Sequence, residues 1–252
     1  MLATLHKKYS NGLQFDLNYT YSHSIDNASV GANSFFTDFV CDITNLRVCK
    51  GDSDFDLRHS INMIGIYELP FGRGKTFGGT ASGVLNQLIG GWSISGIEDW
   101  HTGFAFRTGS NAFPIGFATV APGIFNGDTH AIRSGIHTDA SNGNAVQFFA
   151  DPAAAIGSFS GPLGLQMGSR NNLHGPHFSN TDLALIKAFR LNERFRLEFH
   201  AEAFNAFNHP SFALPLNGSG GVADFTLPSS FGVITSTASA PREMQFALRL
   251  EF

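Results

Sequence analysis

Three stretches of this chain alternate apolar and polar residues with a period of two over nine or more positions, and few sequence patterns restrict a fold so tightly. Leu13, Phe15, Leu17, Tyr19 and Tyr21 fall on one face of an extended segment, with Gln14, Asp16, Asn18, Thr20 and Ser22 on the other. Phe195, Leu197, Phe199, Ala201 and Ala203 oppose Arg196, Glu198, His200 and Glu202. Met244, Phe246, Leu248, Leu250 and Phe252 oppose Gln245, Ala247, Arg249 and Glu251. This is the period of a β-strand, whose side chains point alternately to opposite faces. Strands in globular proteins average about 5–6 residues, whereas a tilted strand needs about 9–11 to cross a bilayer. The alternation therefore predicts an all-β, antiparallel transmembrane barrel wall with one lipid-facing and one lumen-facing side.

Four weaker segments extend the wall. Residues 2–9 are short and basic, and 57–69 alternate except where Ile64 and Ile66 interrupt the polar side. In 91–106 Glu98 shares the face of Trp92, Ile94 and Trp100, and in 180–191 Lys187 intrudes among Leu183, Leu185 and Phe189. A basic residue near the membrane boundary costs only about 0–1 kcal/mol, so Lys187 is tolerable there. The expected total is seven strands, or eight if one hides in a loop. An even count is the rule for bacterial single-chain barrels, and a sheet with two open edges cannot sit in hydrocarbon. The expectation is an unclosed barrel segment that is part of a longer chain.

The connections separate into two sets. Ser10-Asn11-Gly12 and Asn192-Glu193-Arg194 are tight, and Pro70 to Gly90 is moderate and Gly-rich. Loops 26–54, 108–177 and 207–240 are long. Short and long connections alternate, so in an antiparallel meander all long loops gather at one end, as in outer-membrane barrels with short periplasmic turns and long outer loops. Structureless loops beyond about 12–15 residues are uncommon in compact soluble domains. With the short turns periplasmic, Tyr9, Tyr67, Trp92, Phe189, Phe195 and Phe252 fall near one boundary and Tyr19, Tyr21, Trp100 and Phe204 near the other. These are the two aromatic belts of a protein in lipid.

Composition narrows the alternatives. Charged residues make up 14%, against about 25% in ordinary soluble domains, and Phe and Gly number 26 and 28. A 42% hydrophobic content excludes a disordered chain, and a net charge of −4 gives no footprint for nucleic acid. No run approaches the roughly 18 apolar residues of a membrane helix, and Met1-Leu2-Ala3-Thr4-Leu5 opens no signal peptide.

Several segments carry a family resemblance: Ser10-Asn11-Gly12-Leu13-Gln14-Phe15 with Tyr19-Thr20-Tyr21-Ser22, Ser53-Asp54-Phe55-Asp56-Leu57-Arg58-His59, Tyr67-Glu68-Leu69-Pro70-Phe71-Gly72 and Gly90-Gly91-Trp92. His174-Gly175-Pro176, Asn180-Thr181-Asp182-Leu183, Glu202-Ala203-Phe204-Asn205-Ala206-Phe207-Asn208-His209-Pro210 and Phe231-Gly232-Val233-Ile234 follow in order. Together they resemble the C-terminal barrel of TonB-dependent outer-membrane receptors. The nearest subgroup carries an N-terminal carboxypeptidase-regulatory-like domain and is abundant in soil bacteria such as Acidobacteria. The resemblance spans nearly all of residues 1–252. It implies a 22-stranded barrel of which this is roughly the last third, and energised uptake of a ligand past a plug. The plug and the TonB-binding segment are not recognisable in these residues. It also implies as partners outer-membrane lipid, the missing barrel strands and plug, the TonB complex reached through that missing part, and the assembly machinery at the terminal aromatic strand. The ligand is unnamed, with loops 108–177 and 26–54 as its expected contacts. A passive porin-like or structural barrel piece and a soluble secreted carbohydrate-binding β-sandwich remain alternatives.

The remaining conspicuous residues suggest structure before chemistry. Cys41 and Cys49, in an outer loop of an exported protein, are expected to form a disulfide, with two free thiols as the alternative. The ten His residues follow no metal-binding spacing, and no metal or cofactor is expected. Gly72-Arg73-Gly74-Lys75-Thr76 lacks the spacer of a phosphate loop. Arg196, Glu198, His200, Glu202, Gln245, Arg249 and Glu251 are expected to solvate a lumen, and Met244, Phe246, Leu248, Leu250 and Phe252 to face lipid. No catalytic residues and no enzyme activity are expected.

Overall fold

The structure, a computed structural model, describes residues 1–27, 29, 45–110, 121–163, 166, 168, 170–192, 194–218 and 221–252. Seven long strands form one sheet: β1 (Leu2–Ser10), β2 (Leu13–Tyr21), β3 (His59–Glu68), β4 (Trp92–His101), β5 (Phe178–Arg190), β6 (Arg196–Phe204) and β7 (Glu243–Glu251). Their spatial order is their chain order and every pairing is antiparallel. The sheet is not closed; among the described residues β1 and β7 are open edges. At the β1–β2 turn Asn11 and Gly12 take φ of 53° and 79°, the left-handed pair that a two-residue hairpin requires.

The register sorts the side chains as alternation predicts. Leu5, Leu17, Met63, Glu98 and Thr181 make one cross-strand row on the apolar face, and His6, Asp16, Ile64, Ile97 and Asp182 the next row on the polar face. On the apolar face Ala201 pairs with Phe246 and Phe199 with Leu248. Phe246 and Leu248 are 63% and 70% exposed, so no second sheet among the described residues covers them. This overturns the soluble sandwich, which needs those side chains buried.

The two intruders have local partners. Lys187 is buried, donates to the Gly90 carbonyl and lies over the rings of Trp92 and Phe189, with centroids 5.4 and 4.8 Å away. Glu98 accepts hydrogen bonds from the Thr181 and Ser179 hydroxyls. Phe204, expected in the outer aromatic belt, falls instead in register with Glu243 on the polar face, since its even position puts it with Glu202. The strand expected over 91–106 stops at His101. There the chain passes Gly175 so closely that a Cβ on Gly103 would lie 2.0 Å from the Gly175 carbonyl oxygen, and Ala105–Phe106 then pairs with Leu173–His174.

The hydrophobic core lies outside the sheet. Phe106, Phe148, Phe149, Phe159, Leu173 and Phe231 are buried together, and all belong to the long loops or to the segment leading into them. Phe149 stacks on Phe231 with centroids 5.0 Å apart, and Phe148 meets Phe106 edge-on at 5.6 Å. Short strands organise this cap: Ser134–Asp139, Ala145–Phe149 and Val233–Ile234 pair in one three-stranded sheet, and Thr108–Ser110 joins Ala121–Pro122 and Ala223–Asp224 in another. The described parts of loops 108–177 and 207–240 are thus co-folded rather than structureless. A burial-driven cluster of aromatic rings explains why they hold together without periodicity. Among the described residues there are two short α-helices, α1 (Gly83–Ile89) in the β3–β4 connection and α2 (Pro152–Gly157) in the cap, besides 3-10 turns at Leu46–Cys49 and Ala140–Asn142. No helix among the described residues is long and apolar enough to cross a membrane.

Candidate functional site

The polar face of the sheet is a continuous field of hydrogen-bonding and charged groups. Arg196 pairs across strands with Glu251, Glu198 with Arg249, and Glu202 with Gln245. Along β6 the Arg196 guanidinium lies 2.5 Å from Glu198, and His200 sits 3.3 Å from Glu198 and 3.9 Å from Glu202. Arg249 approaches Glu251 at 3.4 Å on β7. Arg196 and Arg249 are exposed and Glu251 is half-buried, whereas Glu198 between its Arg196 and His200 partners is buried. Further along, Asn62 donates to Asp99 at 2.7 Å, Thr4 donates to Asn18 at 3.0 Å, and His6 pairs with Asp16.

An apolar shelf interrupts this field. Ile64 and Ile97 are cross-strand partners, 54% and 52% exposed, and they border a concavity that also takes in Ala184 and Phe204. Asp16, Asp99, Asp182 and Glu202 share this face around it. A shelf of this kind, ringed by carboxylates, suits a surface with both apolar and hydrogen-bonding groups. The Ile residues that look like defects of alternation are the ones that build it.

Above the sheet, the cap is fastened by a second polar cluster that joins three segments. Arg170, only 9% exposed at its side chain, binds Asp26, the Ser29 hydroxyl at 2.5 Å and Asp54 at 3.2 Å. Asn171 donates to the Asp52 carbonyl at 2.8 Å and to Asp54 at 2.5 Å. Arg58 donates to Asp52 at 2.8 Å and to Asp56 at 2.7 Å. His23 and His174 approach Asp52 at 2.8 and 3.1 Å. Burial pushes the Asp52 carboxyl up, but hydrogen bonds from His23 and Arg58 and the nearby positive charge outweigh it and hold its pKa below the usual carboxylate value. Asp26 is likewise raised by burial and lowered further by Ser29, Ser53 and Arg170, with the same net direction. The bond to Asp56 holds the Arg58 pKa above its ordinary value. His23, Asp52 and Asp56 converge closely enough to be considered for a metal ion. The Arg58 guanidinium already bonds to both carboxylates and contacts His23 at 2.7 Å, so the group is a clasp closed by the protein's own cation.

The sequence-predicted residues are distributed as follows. Met244, Phe246, Leu248 and Leu250 share the apolar face at an open edge, and Phe252 follows the strand. Arg196, Glu198, His200, Glu202, Gln245, Arg249 and Glu251 come together on the polar face. Cys49 is buried and disulfide-bonded, while Cys41 lies outside the described residues. The expected ligand loops are described only in part, since 30–44 and 111–120 lie outside the described residues. Sequence reasoning missed Arg170 and Asn171, whose partners are more than a hundred positions away, and the shelf at Ile64 and Ile97.

A family model described as an outer membrane beta barrel domain matches residues 1–245. Comparison with curated proteins and with solved structures gives no match.

Proposed function

The chain belongs to the outer membrane beta barrel domain family and resides in the bacterial outer membrane, and from that premise we propose that it forms the C-terminal wall of a TonB-dependent receptor that imports a ligand. The observation that carries this reading is the union of a seven-stranded two-faced wall with a folded cap at one end only. A cap with its own aromatic core is a platform for capture. The polar face with its apolar shelf is a surface along which a ligand or a plug can move. The two open edges, β1 and β7, would leave unpaired backbone groups in hydrocarbon, so the reading includes further strands that close the barrel. It also places the plug and the TonB-binding segment in that remainder, and the assembly machinery at β7. The role is transport, not catalysis.

The test is solute depletion by the host bacterium with the gene intact or deleted, with and without a protonophore. A receptor predicts that some solute is removed from the medium only by the intact strain and only while the proton-motive force is maintained. Depletion that depends on the gene but ignores the protonophore would make the protein a passive barrel. Identical depletion in both strains would reject uptake.

A further inference from the structure

The β3–β4 connection contains a helix turned the wrong way for water. In α1, Val84, Leu85 and Leu88 fall within about 100° of the helix circumference, yet they are 76%, 56% and 61% exposed. The polar residues of the same helix face the protein. Asn86 accepts from the Arg73 amide at 2.6 Å, and Gln87 donates to the Arg190 carbonyl at 2.8 Å. A helix on a water-facing surface buries its apolar stripe and exposes its polar one, and α1 does the opposite.

Hydrogen bonds place the helix relative to the wall. The Trp92 indole donates to the Leu88 carbonyl at 2.9 Å, and Lys187 donates to the carbonyl of Gly90, just past the helix end. Trp92 and Lys187 both belong to the apolar face of the sheet. The helix therefore lies on the lipid side of the wall, at its short-turn end, and its stripe continues the lipid-facing surface. Charge at that end is suited to a phosphate layer. Segments 7–12, 66–93, 187–198 and 249–252 hold nine of the 16 Lys and Arg residues but four of the 20 Asp and Glu. The short turns of such barrels face the periplasm, where the adjoining leaflet is phospholipid.

We propose that α1 is an interfacial anchor, with Val84, Leu85 and Leu88 seated among the outer acyl segments of the periplasmic phospholipid leaflet and the surrounding basic residues at the level of its phosphates. Amphipathic helices lie in this way at the headgroup boundary, held by apolar area and by attraction to anionic lipid. The anchor fixes the depth of the β3–β4 turn beneath the wall. The inference rests on the outer-membrane location alone and not on ligand uptake.

The test attaches an environment-sensitive fluorophore to Leu85→Cys, and separately to Leu88→Cys, Met63→Cys on the lipid face of β3 and Thr129→Cys in the cap. The protein is reconstituted in phosphatidylethanolamine–phosphatidylglycerol vesicles carrying doxyl quenchers either near the headgroup or at the chain end. At positions 85 and 88 the shallow quencher is expected to act more strongly than the deep one, at 63 the deep one more strongly, and at 129 neither. Emission at 85 quenched by aqueous iodide and by neither lipid label, while 63 remains lipid-accessible, would overturn the anchor and leave the wall intact. Protection at 85 from both lipid and aqueous quenchers would show a protein cover and would also overturn it. Water accessibility at 63 would refute the embedded wall, and the anchor with it.

Discussion

Substituting arginine at two adjacent positions of β3 should produce opposite results. Met63 and Asn62 differ by one residue, and in a strand that single step exchanges lipid for lumen. β3 has ten residues. At a rise of about 3.3 Å per residue and a tilt near 45°, it climbs about 23 Å, close to the roughly 25 Å apolar band of such barrels. Met63 is the fifth residue and sits near the midplane on the apolar face, where it pairs with Leu17 and Glu98. An arginine there should cost up to about 2–4 kcal/mol, a factor of up to about 30 to 700 in the folding equilibrium, with the facing Glu98 carboxylate offsetting only part of it. Asn62 bonds to Asp99 on the polar face at 2.7 Å, so Asn62→Arg places a cation beside a carboxylate and should change stability by less than about 1 kcal/mol. Urea titration of folding into phospholipid vesicles, read by heat-modifiable gel mobility, measures both. Equal costs, or a larger cost at Asn62, would refute the facial assignment.

Three further outcomes follow from the cap and its junction with the sheet. Arg170→Ala removes the cation shared by Asp26 and Asp54 and should weaken the base of the cap by about 3 kcal/mol, seen as proteolysis near residues 45–58 with vesicle folding of the sheet unchanged. Because Asp26 and Asp52 titrate below the ordinary aspartate range when folded, their contribution is full above about pH 4 and is lost as pH falls through their folded values. Hydrogen exchange at the Ser53 and Asp56 amides, corrected for intrinsic rates, should therefore accelerate only as the pH falls below about 4, and acceleration on raising the pH would contradict the clasp. Gly103→Ala should separate cap from sheet through the clash with Gly175, at a cost of about 1–3 kcal/mol, read as loss of exchange protection at the Gly175 amide, which bonds to Phe104.

Period-two alternation made the wall legible because the sheet has a single layer, so each strand meets one apolar and one polar medium without tertiary complication. Strand ends fell within about two residues of expectation except at 91–106, where the stop depends on a backbone approach between Gly103 and Gly175 that no local pattern records. Lys187 and Glu98 looked like flaws because their partners, the Gly90 carbonyl and the Thr181 hydroxyl, lie on neighbouring segments. The cap was not legible. Phe149 and Phe231 stack across more than 80 positions, and the cap's pairings run through several two- and three-residue strands, too short to show a period. Arg170 similarly reads as one more loop arginine until the fold sets Asp26 and Asp54 beside it. α1 could have been found from the spacing of Val84, Leu85, Leu88 and Ile89, but the glycines around it point to a plain turn.

Spin-label accessibility at successive positions from Leu197 to Ala203 on β6, in lipid vesicles, tests the two-faced wall most directly. The account predicts collisions with oxygen high at 197, 199, 201 and 203, collisions with an aqueous nickel complex high at 198, 200 and 202, and strict alternation between them. Uniform accessibility along the strand, or the two sets exchanged, would contradict it.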